Sequence, residues 1–225
     1  MKLAAKIGFI TIGQTPREDI IPEVLLLLGS GIEIVERGAL DGFSSDEILE
    51  LRPEKDDFPL ITRLRDGSSA IVGRRKIIPL IQKHIRDIEK QGASLSALLC
   101  TEDFPDIKSR SLLLRPSQIL YNYVISLLSK GRLCVLTPLG EQRIEVRKKW
   151  ERTGLKIFVE VLNPYQKPFR VEEVTSQINK KNVDLIVLDC IGYTLKIKEK
   201  VREATGKPVL LPRSVLARII RELIG

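Results

Sequence analysis

Two apolar runs along the chain stop abruptly at a cysteine. In DLIVLDCIGYT, Asp184 to Thr194, the run Leu185 to Leu188 has the length and β-branched content of a buried strand, and Asp189, Cys190, Ile191 and Gly192 then break it. SLSALLCTEDFP has the same shape, with Leu98 and Leu99 leading into Cys100, Thr101 and acidic residues. Both thiols are therefore expected at strand exits. In open α/β sheets, small ligands bind at the carboxyl ends of strands, which makes the two cysteines candidates for a catalytic pair.

The rest of the pattern alternates in the same way. Lys6 to Ile12 reads as a strand, and GQTPRED turns into a helix with Thr15 as N-cap and Pro16 at its first position, running to about Leu28. Ile32 to Glu36 is a second strand. A short helix capped by Ser44 or Ser45 follows, then two strands joined at Asp66 and Gly67, a helix from Lys76 to Lys90, the strand Leu95 to Cys100 and a helix from Ser117 to Leu128.

The series then restarts. Arg132 to Thr137 (RLCVLT) can be laid on Lys6 to Thr11 (KIGFIT) with a constant offset of 126. A helix from Glu141 to Arg152, the strand IFVEVL, a helix from Val171 to Lys180, the strand DLIVLDC and a helix from Thr194 to Ala204 follow. A short strand from Lys207 to Leu211 leads to a terminal helix starting at Pro212. Two β/α series, each ending on a cysteine, predict an α/β protein of two doubly wound parallel sheets. The expected domains are 1–116 and 117–211, with the terminal helix 212–225 packing on the first.

At 225 residues and 43% hydrophobic composition the chain can build these cores. No apolar run approaches the roughly 18 to 20 residues of a membrane span, and the apolar part of MKLAAKIGFITIGQTPRED reads as a strand, so the stretch is not expected to be a signal peptide. A cytoplasmic protein without membrane contact is expected. Three cysteines without a C-x-x-C pair, and one histidine, make neither a disulfide scaffold nor a zinc site, so no metal is expected. The net charge of +8 is concentrated in the last 35 residues, where eight Lys or Arg face three Asp or Glu. Without interleaved aromatics or a nucleic-acid motif, that charge reads as solvated helix faces in a protein suited to an anionic ligand, and no nucleic-acid partner is expected.

Thiols suit proton exchange at a carbon beside a carboxylate. A thiolate's reference pKa of roughly 8.5 can be lowered by nearby donors, and exchange on either face of the carbon needs one acid and one base. Cys100 and Cys190 fill those roles if their sheets face each other; the competing reading makes them small buried hydrophobes. Cys134, in mid-strand between Leu133 and Val135, reads as structural, and His84 as a surface or half-buried helix residue. Thr11, Gln14, Thr15 and Arg17, at the first strand exit, are candidates for holding a carboxylate, with Thr137 and Gln142 in the corresponding place of the second half; turn and capping chemistry is the alternative. Tyr193 either closes the pocket or packs.

The stretches GQTPRED, ERGALDGFSSDEI, PLITRLRDG, CTEDFP, Gln142 to Trp150, Asn163 to Tyr165, DCIGY and PVLLPRS together resemble the AroM family, related to the aspartate/glutamate racemase superfamily, over nearly the whole chain. The resemblance implies two α/β domains in pseudo-twofold relation, no metal or organic cofactor, and an activity within the range of racemases, isomerases and one-cysteine decarboxylases. Cys100 and Cys190 match the paired cysteine positions. Two positions depart from the superfamily pattern: Ile191 and Gly192 follow the second cysteine where glutamate racemases have threonine and histidine, and Glu102 stands where glycine is expected. A carboxylate beside Cys100 would raise its pKa and repel an acidic substrate if it pointed inward.

The leading expectation is a cofactor-independent racemase or isomerase of a small carboxylic acid. In it, Cys100 and Cys190 exchange the α proton, backbone N–H groups of the Thr101, Ile191, Gly192 and Tyr193 segments hold the developing charge with help from Thr101 and Thr11, and Arg17 anchors the acid group. The alternatives are a non-catalytic ligand-binding or regulatory protein of aromatic amino-acid metabolism, the field the family's name points to, and a one-cysteine decarboxylase. A homodimer is the default assembly.

Overall fold

A computed structural model describes residues 5–29, 31–166 and 168–225. The first four residues of the MKLAAKIGFITIGQTPRED stretch lie outside the described residues. The chain divides into two compact units: one runs to Pro116 and takes in Leu216–Gly225, and the other is Ser117–Val215.

The first unit contains β1 (Ala5–Thr11), α1 (Ile21–Leu28), β2 (Ile32–Gly38), α2 (Ser45–Glu50), β3 (Pro59–Arg63), β4 (Ser69–Gly73), α3 (Arg74–Lys90), β5 (Leu95–Leu99) and β6 (Leu112–Leu114). Ile7, Phe9 and Ile10 of β1 are all buried, so the strand is apolar on both faces, as the centre of a covered parallel sheet requires. Its neighbours are β2 on one side and β5 on the other, both parallel, giving the order β2-β1-β5-β6. α3 covers β1 through Ile77, Ile81, Ile85 and Ile88, spaced three and four apart; each burial contributes on the order of 2 kcal/mol. The helix packs so close that a methyl group at Gly8 would lie 2.3 Å from Ile88 Cγ2. The hairpin β3–β4 is a separate antiparallel pair.

The second unit contains α4 (Pro116–Leu127), β7 (Arg132–Thr137), a 3-10 turn (Gly140–Gln142), α5 (Arg143–Glu151), β8 (Lys156–Val161), α6 (Val171–Asn179), β9 (Leu185–Leu188), α7 (Leu195–Thr205), β10 (Val209–Leu210) and the first turn of α8 (Pro212–Ile224). Its parallel sheet has the order β10-β9-β7-β8. Counted by appearance within each parallel sheet, both have the order 2-1-3-4. The repeated sequence pattern thus falls on β1 and β7, the first strand of each series, flanked by the second and third.

Three segments differ from the sequence expectation. α1 begins at Ile21, not after Thr15: Thr15 directs its N–H and hydroxyl to Asp41, the Arg17 carbonyl accepts from the amides of Ile20 and Ile21, and Pro22 rather than Pro16 occupies the first turn. β6 is an additional three-residue edge strand whose LLL run carries no period. The segment from Glu141 splits into the 3-10 turn and α5, because Gln142 turns its side chain back to β7. Ser44 is the cap of α2, exchanging hydrogen bonds with Glu47 in a capping box. Among the described residues no helix is long and apolar enough to cross a membrane.

Candidate active site

In a sheet of order 2-1-3-4, successive connections leave the first strand in opposite directions, so a crevice opens at the carboxyl ends of the first and third strands. Register places Thr11 opposite Leu99 and Leu136 opposite Leu188. Cys100 is therefore one residue beyond β5 and Cys190 two residues beyond β9, each at the switch point of its own sheet.

The two thiols share a local geometry. Cys100 Sγ accepts from the Glu102 amide at 3.4 Å, and Cys190 Sγ accepts from the Gly192 amide, also at 3.4 Å. Each residue is 8% exposed, whereas Cys134 in the middle of β7 is 0% exposed and burial pushes its thiol up to about 12, against a weaker opposing pull from Lys181. Burial thus disables Cys134 as a nucleophile or base at neutral pH.

Glu102, the departure beside Cys100, is paired. Its Oε1 lies 2.9 Å from Arg74 Nη1, and the Arg74 guanidinium rests 5.5 Å over the Phe58 ring. Thr101 is buried.

The loop after β1 is a frame of internal hydrogen bonds. Thr11 Oγ1 accepts from the Gly13 amide at 3.2 Å and from Arg17 Nη1 at 2.5 Å. Arg17, 1% exposed, forks its Nε and Nη2 onto Asp19 at 2.8 and 2.9 Å. Gln14 donates to the carbonyls of Leu40 and Phe43 and accepts from the Arg65 amide. Asp41 accepts from Thr15 N, Thr15 Oγ1 and Gly38 N at 2.8, 2.7 and 2.7 Å. These side chains tie the β1 loop to the β2 loop and to the β3–β4 hairpin. In the second unit Thr137 donates to Gln142 Oε1 at 2.7 Å, so this pair is likewise joined within the fold.

The Cys190 turn is braced by residues the sequence pattern did not single out. Asp189, buried, accepts from Lys149 Nζ at 3.0 and 2.9 Å and from Trp150 Nε1 at 2.7 Å. Arg213, 0% exposed, donates from Nε and Nη2 to the Ile191 carbonyl at 3.2 and 2.8 Å. Tyr165 lies against Gly192, where an added methyl group would come 2.5 Å from its Oη. Tyr193 packs: it is fully buried, donates to the Leu162 carbonyl at 2.6 Å, and burial raises its pKa far above the ordinary phenol value. Thr194 caps α7 through the Ile197 amide. Trp150, Tyr165 and Arg213 fall in motif stretches, but nothing in their spacing marks a role.

Among the described residues no group of three His, Cys, Asp or Glu side chains could hold a metal ion. His84, on α3, is half-buried and its Nδ1 has no hydrogen-bond partner.

The sequence model described as AroM protein matches residues 7–224. No curated protein matches by sequence. Among solved structures, the aspartate racemase of Picrophilus torridus is similar over 97% of this chain and 93% of its own, with 12% identity and a TM-score of 0.64. The glutamate racemase of Francisella tularensis, solved with D-glutamate, covers 98% of this chain and 81% of its own at 13% identity and a TM-score of 0.61. Arylmalonate decarboxylase covers 96% and 91% at 14% identity, with a TM-score of 0.59. The fold is the two-domain α/β fold of these enzymes.

Proposed function

Since the chain belongs to the AroM family, with the fold of aspartate and glutamate racemases, we propose that it is a cofactor-independent isomerase of racemase type acting on a small carboxylic acid. Cys100 and Cys190 are its acid and base. The observation that carries this reading is the repetition at the two thiols: equivalent strand exits, equal exposure, and an amide two residues on directed at each sulfur.

The chemistry follows from that repetition. One sulfur, as thiolate, takes the proton from the α carbon; the other sulfur, as thiol, returns a proton to the other face, and the roles reverse for the other enantiomer. An N–H aimed at sulfur favours its charged form, so each cysteine can serve as either partner. The carboxylate gains negative charge as the carbon is deprotonated, and the backbone amides of the Thr101 and Ile191–Gly192 turns are the donors assigned to it. Thr11, Gln14, Thr15 and Arg17 brace the loop after β1, Thr137 and Gln142 the loop after β7, and Tyr193 the Cys190 turn, each at a strand exit where a carboxylate would be held. The Arg74 partner of Glu102 relieves the repulsion an unpaired carboxylate would exert on an anionic substrate.

The test is isotopic. A panel of small α-substituted carboxylates is incubated with the protein in deuterated water and followed by proton NMR. The reading expects one member to lose its α-proton signal and its optical activity together. Uptake of deuterium coupled to carbon dioxide release would make the protein a decarboxylase, and fold stabilisation without any exchange would make it a binding protein.

A further inference from the structure

Arg213 lies in the first turn of α8, has no exposed surface, and directs two donations, from Nε and Nη2, to one carbonyl, that of Ile191. Ile191 stands directly between Cys190 and Gly192. The Ile191 carbonyl and the Gly192 N–H belong to one peptide group. That group is planar and its C=O and N–H point in opposite directions. Holding the carbonyl from one side therefore sets the direction of the N–H on the other, and that N–H is the donor to Cys190 Sγ.

We propose that Arg213 is the positioning residue of Cys190: its guanidinium grips and polarises the Ile191–Gly192 peptide so that the Gly192 amide supports the Cys190 thiolate. This rests on Cys190 being a working thiol, the reading given above. Two effects act in the same direction. The fork fixes the peptide plane, since a planar guanidinium with two N–H groups on one oxygen allows little rotation. The cation also draws electron density from the carbonyl, and hydrogen bonds in a chain strengthen one another. Asp189 and Lys149, two charged groups at the turn, bind each other, and Tyr193 is held neutral by burial.

The experiment needs no turnover. Wild type, Arg213→Met and Arg213→Lys are alkylated with iodoacetamide across a pH series, and mass spectrometry reads each cysteine separately. Cys100 is the internal control for reagent and pH, and Cys134, wholly buried, reports unfolding. The proposal expects Cys190 alkylation at neutral pH to slow about five- to tenfold in Arg213→Met, with its pH profile moved to higher pH. Cys100 keeps its rate and Cys134 stays protected. Arg213→Lys, which keeps a cation but loses the planar fork, should fall between. An unchanged Cys190 profile in a variant that protects Cys134 overturns the proposal, as does exposure of Cys134 in both variants, which would assign Arg213 to the fold alone. Loss of racemase activity with no change at Cys190 would also count against Arg213, whereas a shifted Cys190 profile in a protein that racemises nothing would refute the functional reading and leave the positioning role standing.

Discussion

Arg74 Nη1 lies 2.9 Å from Glu102 Oε1, so the carboxylate two residues beyond Cys100 carries its counter-charge with it. Alone, Glu102 would disfavour a thiolate at Cys100 and a carboxylate ligand beside it. Arg74→Met is expected to slow Cys100 alkylation at neutral pH by about three- to tenfold, because the carboxylate two residues beyond the sulfur loses the Arg74 counter-charge. Arg74→Met combined with Glu102→Gln should recover most of that loss. An unchanged Cys100 rate in the single variant would mean that the pair does not act on the thiol.

Gly192 and Tyr165 are matched by shape. A methyl group at Gly192 would lie 2.5 Å from Tyr165 Oη and 2.6 Å from its Cζ. Gly192→Ala is expected to cost about 1 to 3 kcal/mol, read as a lowered urea midpoint, as the ring or the turn is displaced. Tyr165→Ala makes room, so the double variant should be less destabilised than the two single effects added.

Asp189 is the acceptor for both Lys149 and Trp150. Removing its charge leaves a largely buried ammonium without this partner. Asp189→Asn is expected to cost about 2 to 4 kcal/mol, and Trp150→Phe, which removes one neutral donor, about 1 kcal/mol. Equal costs for the two would contradict the ranking, and chemical denaturation measures both.

Burial lowers the pKa of His84 from the ordinary value of 6.5, outweighing the pull of Asp41 and Asp87 in the other direction; Lys83 and Arg37 add to the lowering. The folded chain therefore resists a proton that the unfolded chain accepts. The sign follows: stability is unaffected by this group above about pH 6.5 and falls as the pH drops below it. His84→Gln should flatten the urea midpoint between pH 7 and 5.5, and an identical slope in wild type and variant would contradict this.

The sequence pattern reached the strands because their burial is local. KIGFIT and RLCVLT carry their apolar character in consecutive residues, and they occupy the same place in their sheets. It also separated Cys134 from the other two thiols by position alone, mid-strand against strand exit, and the pKa of about 12 at Cys134 has the same origin. What it missed depends on distant partners. Arg74 meets Glu102 across 28 residues and Arg213 meets Ile191 across 22, and no period in a sequence reports which remote side chain packs on a turn. The start of α1 is hidden from the sequence pattern for the same reason: Thr15 reads as a cap until Asp41, 26 residues on, takes its hydroxyl and its amide.

The central claim is that two thiols share one proton transfer, and single-cysteine variants measure it. With a substrate identified by deuterium exchange, racemisation by wild type, Cys100→Ala and Cys190→Ala is followed by circular dichroism at the substrate's absorption. Both variants are expected to lose racemisation by at least about a thousandfold while keeping the free energy of unfolding in urea within about 1 kcal/mol of wild type. Racemisation at the wild-type rate by either variant would contradict the account.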